Sequence, residues 1–415
     1  MRHDRPRPSA MPSQPAERAQ LTIAPTTAPT IAWLLRGDDA YGPRRMAATL
    51  SEAVRDAGAR VVCLAFEEGD FAEERRRLGF EVRVLGLGRP TSYSGSLLRK
   101  ASRFLALARH RRRAAPAIAA AIREVGADAL HFIYASYFEI ASSAASLAGV
   151  PAFWEMPNNV GGGYPFGINR RLYHHRSARR GVTPLAISRS VAATLGPGRA
   201  PVEVCPLSVD PRLFDPARVV PIERRELGIP DDAVVLAVCA RLVEDKGQGV
   251  LLEAMLRLGD PSLHLLLLGG PLEGPLAARL RETARGRGAD GRVHLVGPVP
   301  DPERYYHAID VAVNSRLVPE PFGLSVVEAM MMARPVLVHA LGGPAETVLD
   351  GSTGWHLQDP SVEGFERALR RVLADRPRWR SMGDAARSRA LAEYSSPAHA
   401  RRYLTIVERT LAARR

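Results

Sequence analysis

Residues 314–330, NSRLVPEPFGLSVVEAM, concentrate side chains and backbone groups with chemical capacity. An apolar strand ends near Val313, Pro319 and Pro321 hold the next turn extended, and helical periodicity starts at Leu324. The amides of Phe322, Gly323, Leu324 and Ser325 then fall at a helix start, where no preceding carbonyl is available to them. Amides in that position form an anion site, and a diphosphate suits it. Glu320 and Glu328 bracket them. One carboxylate can accept from sugar hydroxyls and the other from ribose hydroxyls. The plainer alternative is that Glu320 only caps the helix and Glu328 is solvated on its surface, because acidic groups near a helix start are favoured anyway.

A second segment, ARLVEDKG (240–247), follows the apolar run AVVLAVC. Arg241 and Lys246 project from a strand-to-helix loop, at the strand end where open α/β sheets bind ligands. A planar guanidinium beside a compact ammonium suits a diphosphate whose charge grows as it departs. Solvated loop cations are the alternative. Lys100 and Lys246 are the only lysines among 57 basic residues, so a lysine at this position is informative. A third segment, YGPRRM (41–46), opens the first helix. Gly42 there can approach a phosphate, although a lone Gly-Pro reads equally as an ordinary turn and neither G-x-G-x-x-G nor a P-loop is present.

These loops need a scaffold. Short apolar runs alternate with helical patterns such as 44–57 and 114–125: strands are predicted at 31–35, 60–66, 81–85, 129–134, 151–154, 184–187 and 202–205. After a proline-rich stretch at 208–232 the pattern restarts at 233–239, 263–268, 292–296, 310–313 and 335–338, and 361–413 is helical throughout. Alternation of this kind means βαβ units and parallel sheets. The prediction is an α/β protein of two facing doubly wound Rossmann-like domains with a deep cleft between them. Its parts are a disordered tail over 1–30, a domain over 31–207, a second over 208–384 and closing helices over 385–415.

Composition narrows the partners. The 57 Lys+Arg against 44 Asp+Glu leave a net charge of +13, which favours anionic ligands. Cys63, Cys205 and Cys239 are three widely spaced cysteines without C-x-x-C, which excludes a disulfide framework and a cysteine zinc site and points to a reducing, cytoplasmic setting. Residues 1–30 lack the apolar core of a signal peptide. The apolar stretch 129–154 is interrupted by His131, Glu139, Gly149 and Pro151, so a buried strand and helix explain it better than a membrane span.

Taken together, these segments resemble the retaining, nucleotide-sugar-dependent glycosyltransferases of the GT-B fold, in the group called glycosyl transferases group 1. ARLVEDKG is similar to that family's R-x4-K-G motif, and EPFGLSVVE to its E-x7-E motif with Glu320 and Glu328 at the ends. GGPAETVLDGSTGW (342–355) resembles its glycine-rich donor block, and VCPLSVDPRLFDP (204–216) its linker, with Leu207 and Ser208 replacing Asn and Gly. The resemblance implies that Arg241 and Lys246 hold the diphosphate, Glu328 the ribose and Glu320 the donor sugar, with Phe322, Gly323 and Leu324 supplying amides. Gly269, Gly270 and the loop Gly297–Val299 would line the nucleoside, and helices from about 385 would cross back onto the first domain. The family often presents an H-x-H-like strand end to the transferred sugar; DALHFIYAS offers His131, with Ile133 at the second position. The stretch FWEMPNNVGGGYPFG (153–167), with Glu155, would shape the acceptor side.

The expected reaction moves a sugar from a UDP- or GDP-linked donor to a hydroxyl on a glycan, lipid-linked or small acceptor, with retention. No cofactor is implied. No D-x-D pair stands where a metal would bind, and fixed cations can take a metal's place, so metal independence is expected. The basic segment 99–113, RKASRFLALARHRRR, suits an acidic membrane surface, or is simply a solvated helix. A nucleotide-sugar epimerase or hydrolase of the same fold is the alternative enzyme. A nucleic-acid-binding protein is the other class, although aromatic-basic interleaving and recognition motifs are missing.

Overall fold

The structure is a computed structural model that describes residues 28–39, 41–88, 97–160 and 168–415. The expected tail lies outside the described residues as far as 27, and a strand has begun by Thr30. The first half runs β1 (Thr30–Leu35), α1 (Tyr41–Asp56), β2 (Arg60–Ala65), α2 (Asp70–Arg77), β3 (Glu81–Val84), α3 (Leu97–Glu124), β4 (Ala129–Phe132), α4 (Phe138–Ala148), β5 (Ala152–Met156), α5 (Ile168–Arg180), β6 (Val182–Ala186), α6 (Arg189–Leu195) and β7 (Glu203–Val204). The second half runs β8 (Val234–Cys239), α7 (Gln248–Leu258), β9 (Leu263–Leu268), α8 (Pro275–Gly286), β10 (Val293–Gly297), β11 (Val311–Asn314), α9 (Leu324–Met331), β12 (Val336–His339), α10 (Gly343–Thr347), β13 (Gly354–Leu357), α11 (Val362–Ala374), α12 (Trp379–Glu393) and α13 (Ser396–Ala412).

Two sheets result, with strand orders β3-β2-β1-β4-β5-β6-β7 and β10-β9-β8-β11-β12-β13. Each strand pairing is parallel. Strands buried on both faces are predominantly apolar, as LHLLLL in β9 is, with His264 the one polar residue in a run buried at every position. In both sheets the order reverses beside the first strand, between β1 and β4 and between β8 and β11. Loops on either side of a reversal diverge and leave a crevice at the carboxyl ends. This is the predicted fold class of two doubly wound Rossmann-like units.

One strand escapes the sequence pattern. Gly354–Leu357 forms β13 at the edge of the second sheet, although its first residue is glycine. A Cβ on Gly354 would fall 2.0 Å from the Val336 carbonyl oxygen, so close approach to β12 demands the residue that strand propensity disfavours.

The chain crosses between the two units twice, and the crossings hold each other. Val209 N donates to Tyr394 O at 2.9 Å, and Ser396 N donates to Val209 O at 3.1 Å. The return is later than 385: α12 packs on α9 in the second unit, and it is α13 that packs on α1. Of the described helices, none is long and apolar enough to cross a membrane.

Candidate functional site

A cleft of about 1010 Å³ lies between the units, walled by Gly42, Pro43 and Met46 of α1, Pro157 and Asn158 after β5, and a larger set from the second unit. That set is drawn from the loops at the reversal: Arg241, Asp245 and Lys246 follow β8, and Arg316 and Glu320 to Leu324 follow β11. Two segments 74 residues apart in sequence thereby meet, with Lys246 Nζ donating to Glu320 Oε2 at 2.5 Å.

The short turn Glu244–Lys246 aims the lysine. Ser315 Oγ donates to the Lys246 carbonyl at 2.6 Å and pins that turn to the end of β11. Gly247 follows with φ of 71°, and a Cβ there would meet the Ser315 carbonyl oxygen at 2.0 Å. The glycine after the lysine is therefore required both by its left-handed backbone and by the neighbouring loop.

Arg316 completes the cluster, and sequence reasoning did not single it out. It lies 2.9 Å from Glu320 Oε1 and 3.1 Å from Asp245 Oδ2. In a chain with so many arginines it carries no distinguishing signal; only its position four residues before Glu320 hints at pairing. Burial raises the Glu320 pKa, but Lys246 and Arg316 outweigh it and hold the carboxyl below its usual range. Glu320 is thus an ionised acceptor that fixes two cations. Arg241 is exposed on the same wall, and among the described residues no carboxylate pairs with its guanidinium.

The expected amides are arranged as predicted in part. Helix α9 begins at Leu324, and Gly323 before it has φ of 84°. Phe322, Gly323 and Leu324 line the cleft, whereas Ser325 does not, and its carbonyl accepts from Tyr306 at 3.2 Å. Gly269 and Gly270 line the cleft; beside them Pro298, rather than Val299, forms the wall.

Glu328 is placed differently from the solvated alternative. It is 3% exposed, accepts from Tyr306 OH at 3.0 Å, and lies 2.6 Å from Arg45 Nη1 in an ion pair that is close but poorly aligned for hydrogen bonding. Arg45 belongs to α1, so this pair joins the two units. Glu346 makes a second junction: its carboxylate accepts from the Arg189 and Ser190 amides at 2.9 and 2.7 Å, at the start of α6. Ser188 Oγ donates to Pro321 O at 2.7 Å beside it. None of Arg45, Glu346 and Ser188 was assigned a role from sequence, because their partners lie across the cleft and far along the chain.

His131 is not brought to the cleft. It is wholly buried in β4, stacked on Trp33 at 3.9 Å between ring centroids. Its ring nitrogens meet Tyr403 OH at 3.2 Å and Glu155 Oε2 at 3.3 Å. An imidazole enclosed this way has no free edge for a sugar. Glu155, 1% exposed, is likewise internal and does not shape an acceptor surface. Of the acceptor-side stretch, Pro157 and Asn158 reach the cleft, and 161–167 lie outside the described residues.

Residues 219–389 match the family model of glycosyl transferases group 1. The chain is 32% identical over 190 residues to the lipopolysaccharide core biosynthesis glycosyltransferase LpsE of Rhizobium meliloti, a match covering 46% of this chain and 54% of the relative. It is 36% identical over 187 residues to a D-inositol 3-phosphate glycosyltransferase of Corynebacterium aurimucosum, covering 43% and 44%. The chain therefore spans about half the length of the curated relatives it matches. Solved structures are similar over more of the chain. A glycosyltransferase from Rickettsia africae superposes with a TM-score of 0.78 at 18% identity, covering 93% of this chain and 99% of that one. The Anabaena protein HepE, in complex with UDP and glucose, superposes with a TM-score of 0.71 at 19% identity, covering 92% and 99%. At these identities the likeness is one of fold.

Proposed function

We propose that this protein, whose second domain belongs to the glycosyl transferases group 1 family, moves a sugar from a nucleoside diphosphate sugar to a hydroxyl acceptor. The observation that carries the reading is the meeting of Lys246, Arg316, Glu320 and the α9 amide turn on one wall of the cleft, with the uncompensated Arg241 beside them. As the anomeric bond breaks toward an oxocarbenium-like state, negative charge builds on the leaving diphosphate. Lys246, Arg241 and the amides of Phe322 to Leu324 interact more strongly with that charge than with the intact donor, which lowers the barrier. Glu320 keeps Lys246 and Arg316 in place without donor and can turn to the sugar hydroxyls when the diphosphate takes over the cations. Glu328 would accept from the ribose once Arg45 shifts. HepE's complex with UDP and glucose supports a UDP-linked donor, and retention follows the family resemblance. His131 is left out of the reacting groups because it is enclosed.

Fixed cations beside the diphosphate make a divalent metal unnecessary, so turnover should survive excess chelator; loss restored by magnesium would refute this. Arg109, Arg112 and Arg113 on α3 are exposed and suit an acidic membrane surface, so their neutralisation should reduce co-sedimentation with anionic vesicles, and unchanged co-sedimentation would exclude that contact. The central test is a thermal-shift screen of nucleotide sugars, followed by product analysis with the donor that stabilises. A donor at 100 times its dissociation constant adds about 2.7 kcal/mol. Glycosylated acceptor is the expected product; free sugar or an epimer in quantitative yield without acceptor would favour the hydrolase or epimerase reading.

A further inference from the structure

A second concavity, of about 430 Å³, opens on the first domain between α5 and the turn after α6. Arg170, Arg171, His174 and His175 of α5 line one side, and Gly198 and Arg199 the other. No carboxylate is among the lining residues. Among the described residues none of the three arginines has an acidic partner, whereas Arg176 and Arg180, further along α5, are both taken up by Glu139. The comparable pocket under β12 differs: its Arg334, Arg376 and Arg380 share the wall with Asp310 and Asp384. Uncompensated positive charge in a concave site, rather than charge alone, marks the α5 pocket as an anion receptor.

A buried group points the same way. His174 is 5% exposed, and its Nε2 pairs with the Gly196 carbonyl at 2.9 Å, which makes that nitrogen the donor. Nδ1 is buried without a partner. In the tautomer that the Gly196 carbonyl sets, Nδ1 is an acceptor, for which a P–OH is a fitting donor. Gly198 lies flat against this ring: a Cβ there would fall 2.3 Å from Nδ1, so only glycine allows the turn to close over it.

The pocket is tied to the cleft. Ser188, which caps helix α6, touches Pro321 of the cleft wall, and the helix ends at Leu195 on the pocket rim. Seven helical residues place the two about 10 Å apart. Val160 N, in the loop that leaves Asn158 at the cleft, donates to Thr194 Oγ1 of the same helix.

We propose that this pocket is a second anion site, holding the phosphate group of a ligand that lies along the first-domain side of the cleft. That this ligand is the sugar acceptor rests on the transferase reading; the anion site itself does not. The test is calorimetric titration of inorganic pyrophosphate into the full chain carrying Arg241→Ala, Lys246→Ala and Arg316→Ala, which removes the cationic side chains of the diphosphate wall. One site should remain, weakened at least about tenfold when Arg171→Gln and Arg199→Gln are added. No binding, or binding unchanged by those two substitutions, overturns the proposal. Both arginines are exposed, so the variants should fold, and an unchanged melting temperature checks this. Phosphatidylglycerol vesicles, against phosphatidylcholine, identify the source: vesicle binding lost with R171Q/R199Q assigns a lipid headgroup, and pyrophosphate binding without it assigns a soluble phosphate ester. Nucleoside diphosphate binding is measured separately on the wild-type cleft. Its absence would count against the transferase reading alone, leaving the pyrophosphate titration to decide the pocket.

Discussion

Replacing Lys246 by alanine separates catalysis from folding at this site. Nζ sits 2.5 Å from Glu320, and the two side chains are 18% and 13% exposed, so the charge acts in a partly dehydrated wall. At an effective dielectric of ~20, a unit charge about 5 Å from Nζ interacts with it by ~3 kcal/mol. If that interaction grows with the leaving diphosphate's charge, its loss cuts turnover by roughly 100- to 1000-fold, the range seen for a lost oxyanion donor. Folding should change less than turnover, because Glu320 keeps Arg316 at 2.9 Å and is not left alone; about 1–2 kcal/mol is expected for one charged hydrogen bond lost from this part-buried pair. The assay is steady-state release of nucleoside diphosphate at saturating donor, with a urea melt on the same preparation. The Glu320 pKa should also rise in the variant. Its depressed value means that the carboxylate's contribution to stability is complete above the usual glutamate range and is lost as pH falls through the folded value. Turnover within about threefold of wild type would remove Lys246 from the mechanism, since the Coulomb estimate above leaves no room for it. A collapse of stability matching the loss of turnover would assign the lysine to folding.

Other perturbations follow from contacts outside the diphosphate wall. Glu346→Ala removes the acceptor for two α6 amides across the cleft, so small-angle scattering should report a more open molecule and the acceptor KM should rise; an unchanged scattering profile would deny the junction its role. Gly354→Val drives a side chain into the Val336 carbonyl and should destabilise the second domain by at least ~2 kcal/mol in urea titration. Burial pushes His399 from 6.5 down to about 4, so its contribution is complete above pH 6.5 and lost as pH drops toward 4. The integrated effect is ~3 kcal/mol, and His399→Gln should flatten the pH dependence of the urea midpoint; equal slopes in both proteins would contradict this.

The apolar runs and their alternation with helical periods determine the two parallel sheets, because a strand covered on both faces is built mostly from apolar side chains, and the polar ones it holds, such as His131 and Glu155, find partners inside. Strand β9 is legible to the residue for that reason, and β13 is not, because contact with β12 puts glycine where propensity would put a β-branched residue. The R-x4-K-G and E-x7-E spacings likewise locate the Arg241 and Lys246 loop and the Glu320 turn, since each is a local loop at a strand end. Tertiary structure alone decides what those groups touch. It adds Arg316 to the Glu320 pair, turns Glu328 inward to Arg45 and Tyr306, and encloses His131 between Trp33, Tyr403 and Glu155. Spacing along the chain records which face of an element a residue occupies; whether that face meets solvent, a cleft or a helix arriving from the far end of the sequence depends on long-range packing, and α13 is such a helix.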